Sequence, residues 1–267
     1  MDANESDGII RCAHALADAA RPETLRLFRQ AAALEAGAAN KAAGGFDPVT
    51  EADRAAEKAM RDILARLRPQ DAILGEEFGN TPGTSGLTWV LDPIDGTRGY
   101  IAGTPTWGVL IALSDETGPL YGIIDQPYTR ERFEGGFGRA QLSGPLGETA
   151  LRCRPPRPLS EALVMTTFPE VGIEAERRAF EAVSAQARLT RYGMDCYAYA
   201  LVAAGQVDLV IEAGLQPYDV AAPIAVVQAA GGVVTDWQGG PAHGGGRILA
   251  AANPAIHAEA LALLSGA

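Results

Sequence analysis

The chain has 267 residues, 47% of them apolar and 21% charged, with a formal net charge of −11. That length suits one large domain or two joined ones with a substantial core. The acidic balance argues against nucleic acid and an anionic membrane surface as partners, but not against an anionic substrate, because local cations or metal reverse the local field. The three cysteines, Cys12, Cys153 and Cys196, stand far apart. They offer no disulfide framework and no paired metal-binding spacing, which suits a reducing cytoplasm. The first residues are acidic, so no signal peptide is expected, and no run of about 18 apolar residues predicts a membrane span.

Helical spacing of Ile9, Ile10, Ala13, Leu16 and Ala17 predicts a helix over 5–19. Pro22 then opens a second expected helix over 22–37. His14 lies on the apolar first helix and reads as a core or capping histidine rather than a ligand. Residues 40–50 read as a glycine-containing loop bearing Lys41 and Asp47. Thr50, Glu51 and Asp53 mark the start of a helix running to Leu67, with Asp53 and Glu57 read as solvated or capping acids. A strand over 72–78 carries Glu76 and Glu77, and 80–86 reads as a surface loop. Trp89-Val90-Leu91 reads as a buried strand ending in a turn, Asp92-Pro93-Ile94-Asp95-Gly96-Thr97.

Short apolar runs separated by turn signals over 105–142 predict an antiparallel meander. Prolines over 143–160 exclude a helix there, so this stretch reads as a crossover with Arg152, Arg154 and Arg157 on a solvated edge. Beyond it strands and helices alternate: strands at 162–166, 189–192, 207–211, 232–236 and 248–252, helices at 173–187, 196–204, 220–230 and 254–264. This order implies a mixed sheet with helices packed on it.

Two carboxylates at the carboxyl end of a strand, Asp92 and Asp95, are where α/β sheets place ligand chemistry. Such close anions repel unless a cation lies between them, and Mg²⁺ is a natural occupant. The plainer reading is an Asp-Pro turn with Asp95 capping the next helix. Glu76 ends a neighbouring strand and can converge on the same point. Asp219 follows Pro217 at a helix start and, alone, reads as a cap. The acids stand three apart rather than two, which disfavours an aspartyl-phosphate route. The three histidines, His14, His243 and His257, lie outside these stretches, against a histidine-based hydrolase.

Together Gly75-Glu76-Glu77, Trp89 through Thr97, Tyr218-Asp219-Val220-Ala221-Ala222 and Ala230 through Asp236 resemble the inositol monophosphatase family. The resemblance runs from about residue 40 to 252. It implies an α/β (α+β mixed) fold, a layered αβαβα sandwich of the inositol monophosphatase and fructose-1,6-bisphosphatase type. Residues 1–150 would form an N-terminal α+β half with the antiparallel sheet and metal motifs, and 151–267 a C-terminal α/β half with substrate-side residues, in one catalytic unit. It implies a Mg²⁺-dependent phosphomonoesterase acting on a small phosphorylated metabolite, and a homodimer. Glu76, Asp92 and the carbonyl of Ile94 would hold one Mg²⁺, and Asp92, Asp95 and Asp219 a second. A third, weaker ion is seen in the family near Glu76. Asp47 and Thr97, with Glu76 in the catalytic set, would orient and deprotonate the attacking water. The amides of Gly96 and Thr97 would grip the phosphate.

After Asp-Gly-Thr this chain reads Arg98-Gly99-Tyr100, then Gly103-Thr104-Pro105-Thr106-Trp107-Gly108, where inositol phosphatases usually show Thr-Asn-Phe-Val-His. That form, with Asp195 through Tyr199 and Asp208 through Asp219, is similar to the histidinol-phosphatase branch. Histidinol phosphate carries an amine and an imidazole that Asp195 and Glu212 would pair with, and Arg98 would join the substrate side. Asp195 otherwise reads as a helix cap and Glu212 as a solvated strand end. A broad inositol-1-phosphate or sugar-phosphate phosphatase stays open, as does an inactive relative that binds metal.

Overall fold

The near-continuous apolar strands are explained by what covers them: each of two sheets is packed on both faces. A computed structural model describes residues 2–30, 39–40, 48–49 and 51–266. Asp47, Lys41 and Thr50, and the expected helix beyond residue 30, lie outside the described residues.

Helix α1 (Ala3–Leu27) is capped by Asp2, whose carboxylate accepts the Glu5 N–H at 2.8 Å. It runs straight through Pro22, where the sequence predicts a break between two helices. A lost backbone bond costs a helix a few kcal/mol. Here Ala17, Ala20, Thr24 and Leu27 continue one buried stripe across the proline, and packing outweighs that loss. A short ladder of β1 (Ala39–Asn40) and β2 (Pro48–Val49) lies within the expected loop. Helix α2 (Glu51–Leu67) packs against α1.

The larger sheet holds β3 (Ala72–Gly75), β4 (Gly79–Thr81), β5 (Thr88–Asp95), β6 (Gly108–Asp115), β7 (Gly118–Gln126), β8 (Glu131–Gly136), β9 (Arg139–Gly144) and β10 (Gly147–Ala150). Its order is β10-β9-β8-β7-β6-β5-β3-β4. All neighbours are antiparallel except β3 and β5. The meander is as expected, but β4 and β10 occupy stretches that read as loops. Both are exposed edge strands without the apolar pattern that marks an inner one.

The smaller sheet has β11 (Leu163–Thr166), β12 (Leu189–Tyr192), β13 (Leu209–Leu215), β14 (Val233–Thr235) and β15 (Gly246–Ala251), ordered β12-β11-β13-β15-β14. Interleaved are the helices α3 (Thr97–Ala102), α4 (Glu174–Ser184), α5 (Asp195–Ala203), α6 (Pro217–Ala229) and α7 (Pro254–Ser265). Among the described residues this makes seven α-helices, and none is long and apolar enough to cross a membrane.

Side-chain alternation assigns the layers. Trp89, Leu91, Val109, Ile111 and Leu113 meet α1 and α2 on one face of the larger sheet. Val90, Leu110 and Ala112 point the other way, toward α5, α6 and the Val210, Ile248 and Ala250 face of the smaller sheet. Leu209, Ile211, Leu249 and Ala251 face outward onto α4 and α7. The result is the expected αβαβα layering. Helix α6 is apolar all round because it lies between the sheets, with residues Val220 to Val227 buried. Gly122 of β7 and Gly135 of β8 are cross-strand partners beneath it. A methyl on Gly122 would fall 2.7 Å from the Ala222 carbonyl oxygen, and one on Gly135 2.6 Å from Val226 Cα. Only glycines let the α6 backbone come this close.

Two groups of charges read as solvated are buried instead. Asp208 is fully buried and accepts Arg154 at 2.8 Å, Arg157 at 3.2 Å and the Leu163 N–H at 2.9 Å, so these arginines form a clasp rather than an edge. Asp53 and Glu57 are also buried. Glu57 accepts Arg61 at 2.7 Å and the Glu77 and Phe78 amides at 2.7 and 3.3 Å, fixing the turn that follows β3. Chain that returns over α2 seals a face that local sequence leaves open. His14 is half-buried between Glu134, at 2.9 Å, and Arg132, at 3.1 Å.

Candidate active site

Strand β5 carries two of the acids. Residues three apart on a regular strand point to opposite faces. Pairing with β6 matches Asp92 to Leu110 and then Asp95 to Gly108, so β5 holds one extra residue between them. The bulge falls at Pro93, which has no N–H for the ladder, and it turns both carboxylates to one side. The strand therefore runs through Asp95 rather than ending at Leu91, as the sequence predicts. Gly96 then takes a φ of 83°, reversing the chain into α3. Asp95 does not cap that helix; its carboxylate accepts the Cys196 N–H at 2.6 Å, tying β5 to α5.

Asp219 is the third residue of α6, behind Pro217. Its carboxylate accepts the Gln216 N–H at 2.7 Å, closing the first turn. Capping and site roles coincide in this one side chain. One carboxylate oxygen each from Asp92, Asp95 and Asp219 lies within 4.8 Å of the others. Asp92 Oδ1 also accepts the Ile94 N–H at 3.0 Å, and the Thr97 hydroxyl donates to the Ile94 carbonyl at 3.2 Å. That carbonyl keeps a second lone pair.

Burial, followed by the charges of Glu76, Asp95 and Asp219, pushes the Asp92 carboxyl well above its ordinary range. Burial and then Asp195 and Asp219 push Asp95 up likewise. Asp219 is pushed up to about 7, chiefly by burial, with Glu76 and Glu212 adding to it. Three hard oxygen donors that repel one another in a buried pocket fit a divalent cation of the Mg²⁺ kind. Cys196 is no nucleophile: burial, then the Asp95 charge, hold its thiol protonated.

The triad opens into a cavity of about 450 Å³ also lined by Glu76, Ile94, Gly96, Thr97, Arg98, Asp195 and Glu212. Every sequence-selected site residue except Asp47 therefore meets in one place. Asp195 has φ 44°, an unusual left-handed backbone for a non-glycine residue, and its carboxylate packs against Gly96. A methyl on Gly96 would fall 2.7 Å from Asp195 Cγ. Burial and then Glu212 push Asp195 up to about 7. Glu212 is buried rather than a solvated strand end, and it accepts the N–H and hydroxyl of Thr167 and, at 2.8 Å, the Tyr199 hydroxyl. The Arg98 guanidinium lies 4.8 Å from the centre of the Phe168 ring.

Sequence reasoning missed Thr167, Phe168 and Tyr199. Tyr199 stands four residues after Asp195 on α5, so helical spacing alone places both on one face. Thr167 and Phe168 lie just past the end of β11 and carry no local signal.

An αβαβα sandwich with an acidic, cation-ready cavity at the ends of its strands is the architecture of a metal-assisted phosphatase. The profile of the inositol monophosphatase family matches residues 5–266. The chain belongs to the inositol monophosphatase family. It is 45% identical over 197 residues to the chloroplastic bifunctional phosphatase IMPL2 of Arabidopsis thaliana, covering 73% of this chain and 56% of that protein. The chain thus spans little more than half the length of that relative. It is 35% identical to a histidinol-phosphatase of Streptomyces coelicolor over 96% of both chains. The fold superposes on an inositol monophosphatase from Zymomonas mobilis with a TM-score of 0.84, at 37% identity, over 99% of this chain and 100% of that one.

Proposed function

We propose that the protein hydrolyses L-histidinol phosphate to L-histidinol and phosphate in histidine biosynthesis. The observation that carries this reading is the pair of acids, Asp195 and Glu212, in the same cavity as the Asp92, Asp95 and Asp219 triad. Histidinol brings an amine and an imidazole to such acids, whereas inositol offers only hydroxyls. In this reading two Mg²⁺, or three, are held by Glu76, Asp92, the Ile94 carbonyl, Asp95 and Asp219. When bound, Mg²⁺ neutralises phosphate charge and makes water more acidic. Thr97 and Asp47 orient the attacking water, with Asp47 taking its proton, and Glu76 completes the catalytic set. The turn at Gly96 and Thr97 receives the phosphate oxygens, and Arg98 borders the leaving alcohol. Catalysis is then mostly positioning and electrostatics. Residues 1–150 and 151–267 act as two halves of one unit, which pairs as a homodimer in the cytoplasm.

The likeness to the Zymomonas mobilis enzyme favours a second reading, an inositol-1-phosphate phosphatase or one of broad sugar-phosphate scope. Phosphate release from L-histidinol phosphate and inositol 1-phosphate, each with and without Mg²⁺, separates them. The first reading expects Mg²⁺-dependent turnover with the higher kcat/KM on histidinol phosphate; equal or better turnover of the inositol ester overturns it. Asp92→Asn is expected to lower release by about 100-fold or more, beyond the loss of an outer-shell partner.

A further inference from the structure

Most deeply buried carboxylates in this chain whose contacts are described are neutralised by an arginine. Asp71 pairs with Arg68 at 2.6 Å, Asp125 with Arg21 and Arg132 at 2.7 Å, Glu57 with Arg61 at 2.7 Å, and Asp208 with Arg154 at 2.8 Å. Glu212 is buried to the same degree, at 7% exposure, yet it forms no ion pair among the described residues. Neutral donors hold it instead. One oxygen takes the backbone N–H of Thr167, at 3.1 Å, and its hydroxyl; the other takes the Tyr199 hydroxyl. Tyr199 is itself 1% exposed.

A carboxylate buried without a counter-ion costs the fold free energy, and neutral hydrogen bonds recover only part of it. The arrangement leaves a fixed, oriented negative charge facing the cavity that only something entering the cavity can neutralise. We propose that Tyr199 and Thr167 are positioning residues that hold Glu212 ionised and aimed at the cavity, so that the site selects phosphate esters whose alcohol carries a cationic nitrogen. Both act through Glu212 and not on the reacting phosphate. The proposal rests on the substrate reading above and extends it to residues that no sequence motif singles out.

The test uses the full chain with Mg²⁺ and the ratio of kcat/KM for L-histidinol phosphate to that for inositol 1-phosphate. Tyr199→Phe keeps the ring and the packing but removes one donor; Thr167→Val removes a second; Thr167→Ser keeps it. The ratio is expected to fall about tenfold in Tyr199→Phe and in Thr167→Val, mainly through KM for the cationic ester, and to be kept in Thr167→Ser. Calorimetry should find L-histidinol binding weakened by the same factor. A merely structural role lowers both substrates together and leaves the ratio unchanged, which overturns the proposal while a strong preference in the unsubstituted protein preserves the substrate reading. Absence of any preference in the unsubstituted protein overturns both.

Discussion

Asp195 and Asp219 share a cavity, and both carboxyls are pushed up to about 7, chiefly by burial. Unfolded aspartates titrate near about 4, so between these values the folded state holds more protons than the unfolded one. Stability of the Mg²⁺-free protein is therefore expected to fall as pH rises from about 4 to about 7 and to level off above. Asp92 and Asp95, raised in the same direction, extend the trend. Mg²⁺ binds the ionised acids, so its gain in Tm should be larger at about pH 8 than at about pH 5, read by calorimetry with and without a chelator. A smaller or equal gain at the higher pH would remove the triad as the binding site. Gly96 sets a second limit. At φ 83°, with Asp195 Cγ 2.7 Å from where a methyl would stand, Gly96→Ala is expected to cost about 1–3 kcal/mol. It should also displace Asp195, and denaturant unfolding paired with substrate kinetics checks both effects.

Among the elements, β5 was legible as an inner strand because three apolar residues precede the acids, but its bulge was not. The pattern Asp-Pro-x-Asp fits a turn as well as an interrupted ladder, and only the pairing with β6 decides. Helix α1 posed the converse problem. Pro22 is the strongest local stop signal, and it was overridden by a packing stripe against α2 that local sequence does not display. Acids on α2 were misread for a related reason. Asp53 and Glu57 look like first-turn acids facing water, until the chain after β3 folds back over them. Helices and strands of the second half were found within a few residues because their apolar periods agree with their burial. The triad was legible through residue type and order. Thr167 and Tyr199 were not, since a donor to a buried acid looks like any core or loop residue.

At the scale of the molecule, two sheets meet across α5 and α6, and the Asp208 clasp ties the crossover after β10 to the start of β11 and β13. Removing a buried acid leaves its arginines unbalanced, so Asp208→Ala is expected to cost about 3 kcal/mol. Chemical denaturation should read this loss, and a cost within about 0.5 kcal/mol would mean the clasp is ornamental. Gly122 and Gly135 have a different reach. They set the height at which α6 rides over the larger sheet, and α6 carries Asp219 while that sheet carries Asp92 and Asp95. The gauge of the cation site is thus cut into the sheet floor at two residues with no chemistry of their own. Drift at these positions would be silent in every catalytic motif and still spread the carboxylates apart, so the tolerance of the active site to mutation is bounded by a glycine pair beneath a helix.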